Sequence, residues 1–209
     1  MTLVFLHGLG TGPEAWEPQL AALDVGPEAV AARLRLDRDF TIEGEADRLL
    51  RELPGELDVC GLSLGALVAL KMALARPERV RRLVLCAGFA SLPRRFRALQ
   101  AAVGTVAALV PARARGELGG LDRAAIRAVF REGRRFDVAD ELGRLTQPVL
   151  VLVGESDRAN LGLSRALAAA LPDARLEVLP GAGHVANVDA PALFTDAVRS
   201  FLAPSRSQP

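Results

Sequence analysis

Apolar residues in this chain recur in two rhythms. Short runs such as Thr2–Leu6, Leu57–Cys60 and Pro148–Val153 alternate with longer stretches whose apolar positions return every three to four residues. The first run stops at His7-Gly8, and Pro13–Leu23 then reads as a short helix with Trp16 and Leu20 on one face. Arg33–Leu36 alternates arginine with leucine and predicts a strand ending at Asp37. Thr41–Leu53 places Ile42, Ala46, Leu49, Leu50 and Leu53 on one helical face, and Pro54-Gly55 ends it. Leu64–Ala75 is apolar almost all round, the pattern of a buried helix. Strands are also expected at Arg82–Cys86 and Arg175–Leu179, and helices near Gly162–Leu171 and Ala190–Leu202. The tail from Pro204 reads as frayed.

Strand–helix alternation of this kind predicts an α/β fold: a doubly wound, mostly parallel sheet of about six strands with helices on both faces. One stretch breaks the rhythm. The 57 residues from Ser91 to Gln147 contain no convincing strand and read as two or three helices. Gly104, Pro111, Gly116 and Gly119-Gly120 interrupt them. That is too long for a plain connection. Residues 91–147 are therefore expected to be a helical lid inserted into a core domain of residues 1–90 and 148–209.

Composition narrows the class. Half of the 209 residues are hydrophobic and 24% are charged, with a formal net charge of +1. This excludes a disordered chain and argues against a dedicated nucleic-acid partner. No apolar run approaches the ~20 residues of a membrane span. Met1 is followed at once by an apolar stretch with no basic leader, so no signal peptide is expected and a cytoplasmic location is the default. The two cysteines, Cys60 and Cys86, sit inside apolar runs and read as buried free thiols. They have no metal or redox spacing, and no cofactor motif is found, so neither metal nor cofactor is expected. Charge is unevenly spread: the lid holds 11 arginines against 6 acidic residues, and the rest 15 basic against 19 acidic. The two parts therefore carry +5 and −4.

The strongest chemical signal is Gly61-Leu62-Ser63-Leu64-Gly65, lying between a predicted strand and a predicted helix. In a G-x-S-x-G turn the serine takes strained backbone geometry, and only small residues fit two positions to either side. The turn lifts Oγ clear of the sheet at a helix N-terminus, where the dipole favours negative charge. A serine alcohol needs a base, and the base needs a carboxylate. Only two histidines exist. His184 closes Pro180-Gly181-Ala182-Gly183-His184 after the last strand, and His7 ends the first. We take His184 as the base and His7 as a structural pin of its loop, with the reverse left as the alternative. Asp157, in Gly154-Glu155-Ser156-Asp157, is the expected acid, with Glu155 as its rival. Ser63, Asp157 and His184 all fall at carboxyl ends of parallel strands, where sites form in such sheets. A tetrahedral oxyanion needs two preorganised donors, and the Leu9 and Leu64 N–H groups are the candidates. Trp16 and most phenylalanines are expected to be packing residues, with Phe89 near enough to line the pocket.

Together the His-Gly loop, Gly-Leu-Ser-Leu-Gly, Gly-Glu-Ser-Asp and Gly-Ala-Gly-His resemble the α/β-hydrolase superfamily over nearly the whole chain. The resemblance implies a Ser63–Asp157–His184 triad and a strand order of 2-1-3-4-5-6. It also implies a six-stranded version that starts directly at the His-Gly strand, without the family's usual leading hairpin. Ser63 at the elbow and the absence of tyrosine discount epoxide hydrolase and dehalogenase chemistry. The expected activity is hydrolysis of a small-molecule ester, thioester or lactone through an acyl-serine. Carbon–carbon hydrolysis of a diketone-type acid is the alternative, and a non-catalytic binding module the third possibility. The basic lid further suggests a preference for anionic substrates, against the plainer reading of its arginines as a solvated face.

Overall fold

The structure is a computed structural model, which describes residues 1–23, 29–110 and 120–203. Six strands are described: β1 (Thr2–Leu6), β2 (Ala29–Ala32), β3 (Leu57–Leu62), β4 (Val80–Cys86), β5 (Val149–Gly154) and β6 (Ala174–Leu179). They form one sheet in the order β2-β1-β3-β4-β5-β6. Every pairing is parallel, as expected. Burial follows position: every residue of β3 and β5 is buried, whereas the edge strands β2 and β6 are only partly so.

The helices are α1 (Glu17–Ala22), α2 (Ile42–Glu52), α3 (Leu64–Ala75) and α4 (Arg94–Leu109), followed by α5 (Arg123–Arg135), α6 (Leu161–Ala170), α7 (Ala186–Asp189) and α8 (Pro191–Leu202). Alternate residues of β1 serve opposite faces of the sheet, as a period of two requires. Val4 and Leu6 pack with Leu49 and Leu70 of α2 and α3. Leu3 and Phe5 pack with Trp16 and Phe194 on the other side. Trp16 lies between Phe5 and Phe194 at centroid distances of 4.9 and 5.7 Å, as a packing residue.

Two expectations about elements need correction. The second strand is Ala29–Ala32, not Arg33–Leu36. β1 pairs with those four residues from Leu3 to Leu6 and then ends. Beyond it, the Leu34 N–H donates to His7 Nε2 at 3.1 Å and the Arg35 N–H to Glu45 Oε1 at 2.8 Å. Leu34 is buried between exposed Arg33 and Arg35. The alternation in sequence thus reports burial without a ladder. Pro13–Leu23 is not one helix but a 3-10 turn, Pro13–Trp16, running into α1. The last expected helix, Ala190–Leu202, is found as α8, with Pro191 at its first turn, where a missing N–H costs nothing, and the short α7 precedes it.

Between β4 and β5 the chain forms α4, α5 and a 3-10 turn at Ala139–Arg144. An antiparallel bridge, Ser91 to Asp137, joins the start of this insertion to the segment that follows α5. α4 and α5 pack at Gly104, where a Cβ would lie 2.7 Å from the Phe130 side chain. The interruptions expected at Pro111, Gly116 and Gly119, and the tail from Pro204, lie outside the described residues.

Candidate active site

Ser63 sits between β3 and α3 with φ 53° and ψ −112°, a conformation an L-residue adopts only under constraint. The constraint is close backbone packing. A Cβ on Gly61 would lie 2.3 Å from the Gly65 carbonyl oxygen, and one on Gly65 2.2 Å from that of Leu6. Both glycines are therefore required by space, and together they force the turn that exposes Oγ. The Ser63 N–H is held by the Cys86 carbonyl at 2.8 Å.

Asp157 and His184 come from the loops after β5 and β6. Those loops touch: the Ser156 N–H donates to the Ala182 carbonyl at 2.9 Å, and a Cβ on Gly154, at the end of β5, would lie 2.1 Å from the Gly183 carbonyl oxygen. The His184 loop is tied at two further points. The Gly181 N–H donates to Glu155 Oε2 at 3.1 Å, and the Gly183 N–H to Asp189 Oδ2 at 2.8 Å. Behind it, Gln19 Nε2 donates to the Asn187 carbonyl at 2.9 Å, and Asn187 Nδ2 to the Ala15 carbonyl at 2.8 Å. These bonds fasten α7 to the segment that follows the His7-Gly8 loop.

The three predicted side chains meet. His184 Nε2 lies 3.1 Å from Ser63 Oγ, and His184 Nδ1 lies 2.7 Å from Asp157 Oδ2. With Nδ1–H donating to the carboxylate, Nε2 is left to accept the serine proton. Burial pushes the Asp157 carboxyl up, but hydrogen bonds from His184 and Asn160 outweigh it, so the group lies below the usual carboxylate range. Asp157 is thus ionised at neutral pH. Glu155, its rival, instead holds the Gly181 N–H.

His7 stands apart from this set. Its Nδ1 donates to the Gly8 carbonyl at 2.8 Å, and its Nε2 accepts the Leu34 N–H at 3.1 Å. Burial lowers its basicity. Both ring nitrogens are used, so the neutral ring pins the loop that carries Leu9. Burial also pushes the Cys60 and Cys86 thiols up, which makes them poor nucleophiles. No group of three or more possible metal-binding side chains is found among the described residues.

Ser63 and His184 open into a cavity of about 270 Å³ that Leu9, Leu64, Ala87 and Phe89 also line. Leu64 opens α3, so its N–H has no acceptor within the helix. The insertion supplies the outer wall, through Gln100 of α4 and Val129, Phe130 and Gly133 of α5. Among the described residues, no arginine or lysine lines it. Asn160 also faces the cavity, and the sequence reading missed it. Its position three residues after Asp157, where a helix cap is expected, was the available signal.

Comparison with known proteins supplies the family. Residues 3–197 match the alpha/beta hydrolase family. The chain is 32% identical to a pimeloyl-[acyl-carrier protein] methyl ester esterase of Aromatoleum aromaticum, an alignment covering 94% of this chain and 98% of that protein. It is 30% identical to RutD of Pseudomonas syringae pv. syringae, which carries the name of a carbamate hydrolase, over 97% and 93% of the two chains. Among solved structures, a hydrolase from Pseudomonas aeruginosa PA01 superimposes with a TM-score of 0.85 at 25% identity, over 97% of this chain and 90% of that one.

Proposed function

The chain belongs to the alpha/beta hydrolase family and is an ester-hydrolysing enzyme, and we propose that it works through an acyl intermediate on Ser63. In this reading Ser63 Oγ attacks the carbonyl carbon while His184 Nε2 takes its proton. Asp157 holds the imidazole by Nδ1 and stabilises the cation that forms. The Leu9 and Leu64 N–H groups receive the charge that develops on the carbonyl oxygen. Collapse of the tetrahedral species breaks the bond to the leaving group, which departs with the proton from His184. Water then attacks the acyl-serine by the same route, releasing the acid and restoring Ser63.

The observation that carries this reading is the unbroken Ser63–His184–Asp157 chain at 3.1 and 2.7 Å, opening into a cavity. Esters, thioesters and lactones share the acyl carbonyl this arrangement attacks. Among the described residues the lining holds no arginine or lysine, which supports a neutral acyl group over the diketone acid of carbon–carbon hydrolysis. Residues 91–147 act as the lid that sets substrate choice, on a core of residues 1–90 and 148–209. Support comes from the four residues of α4 and α5 in the cavity wall. The partner is a small-molecule ester, and no described helix is long and apolar enough to cross a membrane. Free, buried Cys60 and Cys86 suit the reducing cytoplasm.

A p-nitrophenyl ester series of increasing acyl length tests the proposal. It predicts a burst of nitrophenolate equal to the enzyme, followed by slower turnover. Absence of both for every chain length would leave the fold without this activity.

A further inference from the structure

We infer that Asn160 is a positioning residue of this site, clamping the Asp157 carboxylate so that one oxygen stays aimed at His184. The inference rests on the Ser63–His184–Asp157 reading and adds a fourth member to it. Asn160 Nδ2 lies 3.0 Å from Asp157 Oδ1 and 2.9 Å from Oδ2, and the Asn160 N–H lies 3.3 Å from Oδ1. The same Nδ2 is 3.2 Å from His184 Nδ1. The amide therefore lies over the junction where the imidazole meets the carboxylate. Its orientation is fixed by chemistry: an ionised carboxylate accepts only, so the NH2 end must face it.

A second observation separates this role from an ordinary helix cap. Asn160 occupies the N-cap of α6, where an asparagine side chain usually accepts a backbone N–H from the first turn. Here it makes no such bond. The side chain turns away from the helix and gives its hydrogens to Asp157. The residue type favoured for capping thus serves the carboxylate instead. Asp157 Oδ1 has no bond to His184, and the two Asn160 donors occupy it. Rotation of the carboxyl group, which would exchange the two oxygens, has to break these bonds. Charge-assisted bonds of this kind are about twice as strong as neutral ones.

The experiment uses the 209-residue chain and a p-nitrophenyl ester. Asn160→Ala should lower kcat about 10- to 100-fold and leave KM within about twofold, because the clamp acts on the reacting groups rather than on substrate binding. A double-mutant cycle with Asp157→Ala, read as the rate of fluorophosphonate labelling of Ser63, should be strongly non-additive. Once Asp157 is gone, losing Asn160 should cost less than about twofold. Asn160→Asp keeps the shape and puts a second carboxylate against the first, so it should lose at least as much as Asn160→Ala. A kcat near wild type in Asn160→Asp, additive losses in the cycle, or a loss seen only in KM would overturn the role of Asn160 alone. Full activity in Asp157→Ala would instead overturn the triad reading beneath it, so the two failures are told apart.

Discussion

Gly154 and Gly183 meet backbone to backbone, so closely that a methyl group on Gly154 would lie 2.1 Å from the Gly183 carbonyl oxygen. This contact seats the end of β5, from which the Asp157 loop springs, against the loop that carries His184. It explains how residues 27 positions apart reach 2.7 Å without any direct connection. A Cβ there meets rigid backbone and cannot be relieved by a rotamer change. Gly154→Ala should therefore cost about 1–3 kcal/mol of stability, as overpacking does. It should also lower kcat at temperatures where the variant is still folded. Thermal melts and kinetics read together check this, and a wild-type Tm would contradict it.

Asp157→Asn should lower kcat by about 10⁴, because the amide keeps the shape but favours the wrong imidazole tautomer. Glu155→Gln removes only the charge on an acceptor of the Gly181 N–H. A loss of less than about tenfold is expected. Steady-state kinetics of the pair rank the two acids, and the reverse ranking would reassign the role.

Much of this site was legible in the sequence because short motifs with steric meaning carry it. Gly61 and Gly65 are required by backbone contacts of 2.3 and 2.2 Å, and their spacing announces the turn. Strand order followed from the family resemblance. The second strand was misplaced because Arg33–Leu36 alternates like a strand, although the partner strand ends before it. Periodicity reports which side chains are buried, not which backbone is paired. Asn160 escaped notice because its role depends on the direction its side chain takes, and the sequence there shows only a favourable helix cap.

His7 gives a pH signature of folding rather than of catalysis. Burial lowers its basicity below the ordinary value of 6.5, so the unfolded chain binds a proton more readily than the folded one. Its contribution to stability is complete above about pH 6.5 and is lost as the pH falls through the folded value. His7→Gln should flatten that decline between pH 7 and 5 and should leave the enzyme active. Denaturant melts across this range check it. An inactive but folded His7→Gln would show that the reaction needs the ring or the Leu9 loop that it pins.

The arginines of α4 should not steer substrate. Arg97 is held by the Leu92 carbonyl at 2.7 Å and by Asp137 at 3.1 Å, and Arg95 lies 5.2 Å from the Phe96 ring centroid. None of them lines the cavity. The kcat/KM values of a carboxylate-bearing ester and of its neutral isostere should respond alike to salt up to ~0.5 M. Arg94→Gln with Arg95→Gln should change neither. A salt-dependent loss confined to the anionic ester would restore the lid as a basic funnel.

The account turns on Ser63 as the nucleophile, and active-site labelling tests this most directly. Intact mass after reaction with a fluorophosphonate should show one adduct per chain, mapped to the peptide that contains Ser63 and absent from Ser63→Ala. Labelling of Ser63→Ala to the same extent, or an adduct mapped to another serine in the wild-type chain, would contradict it.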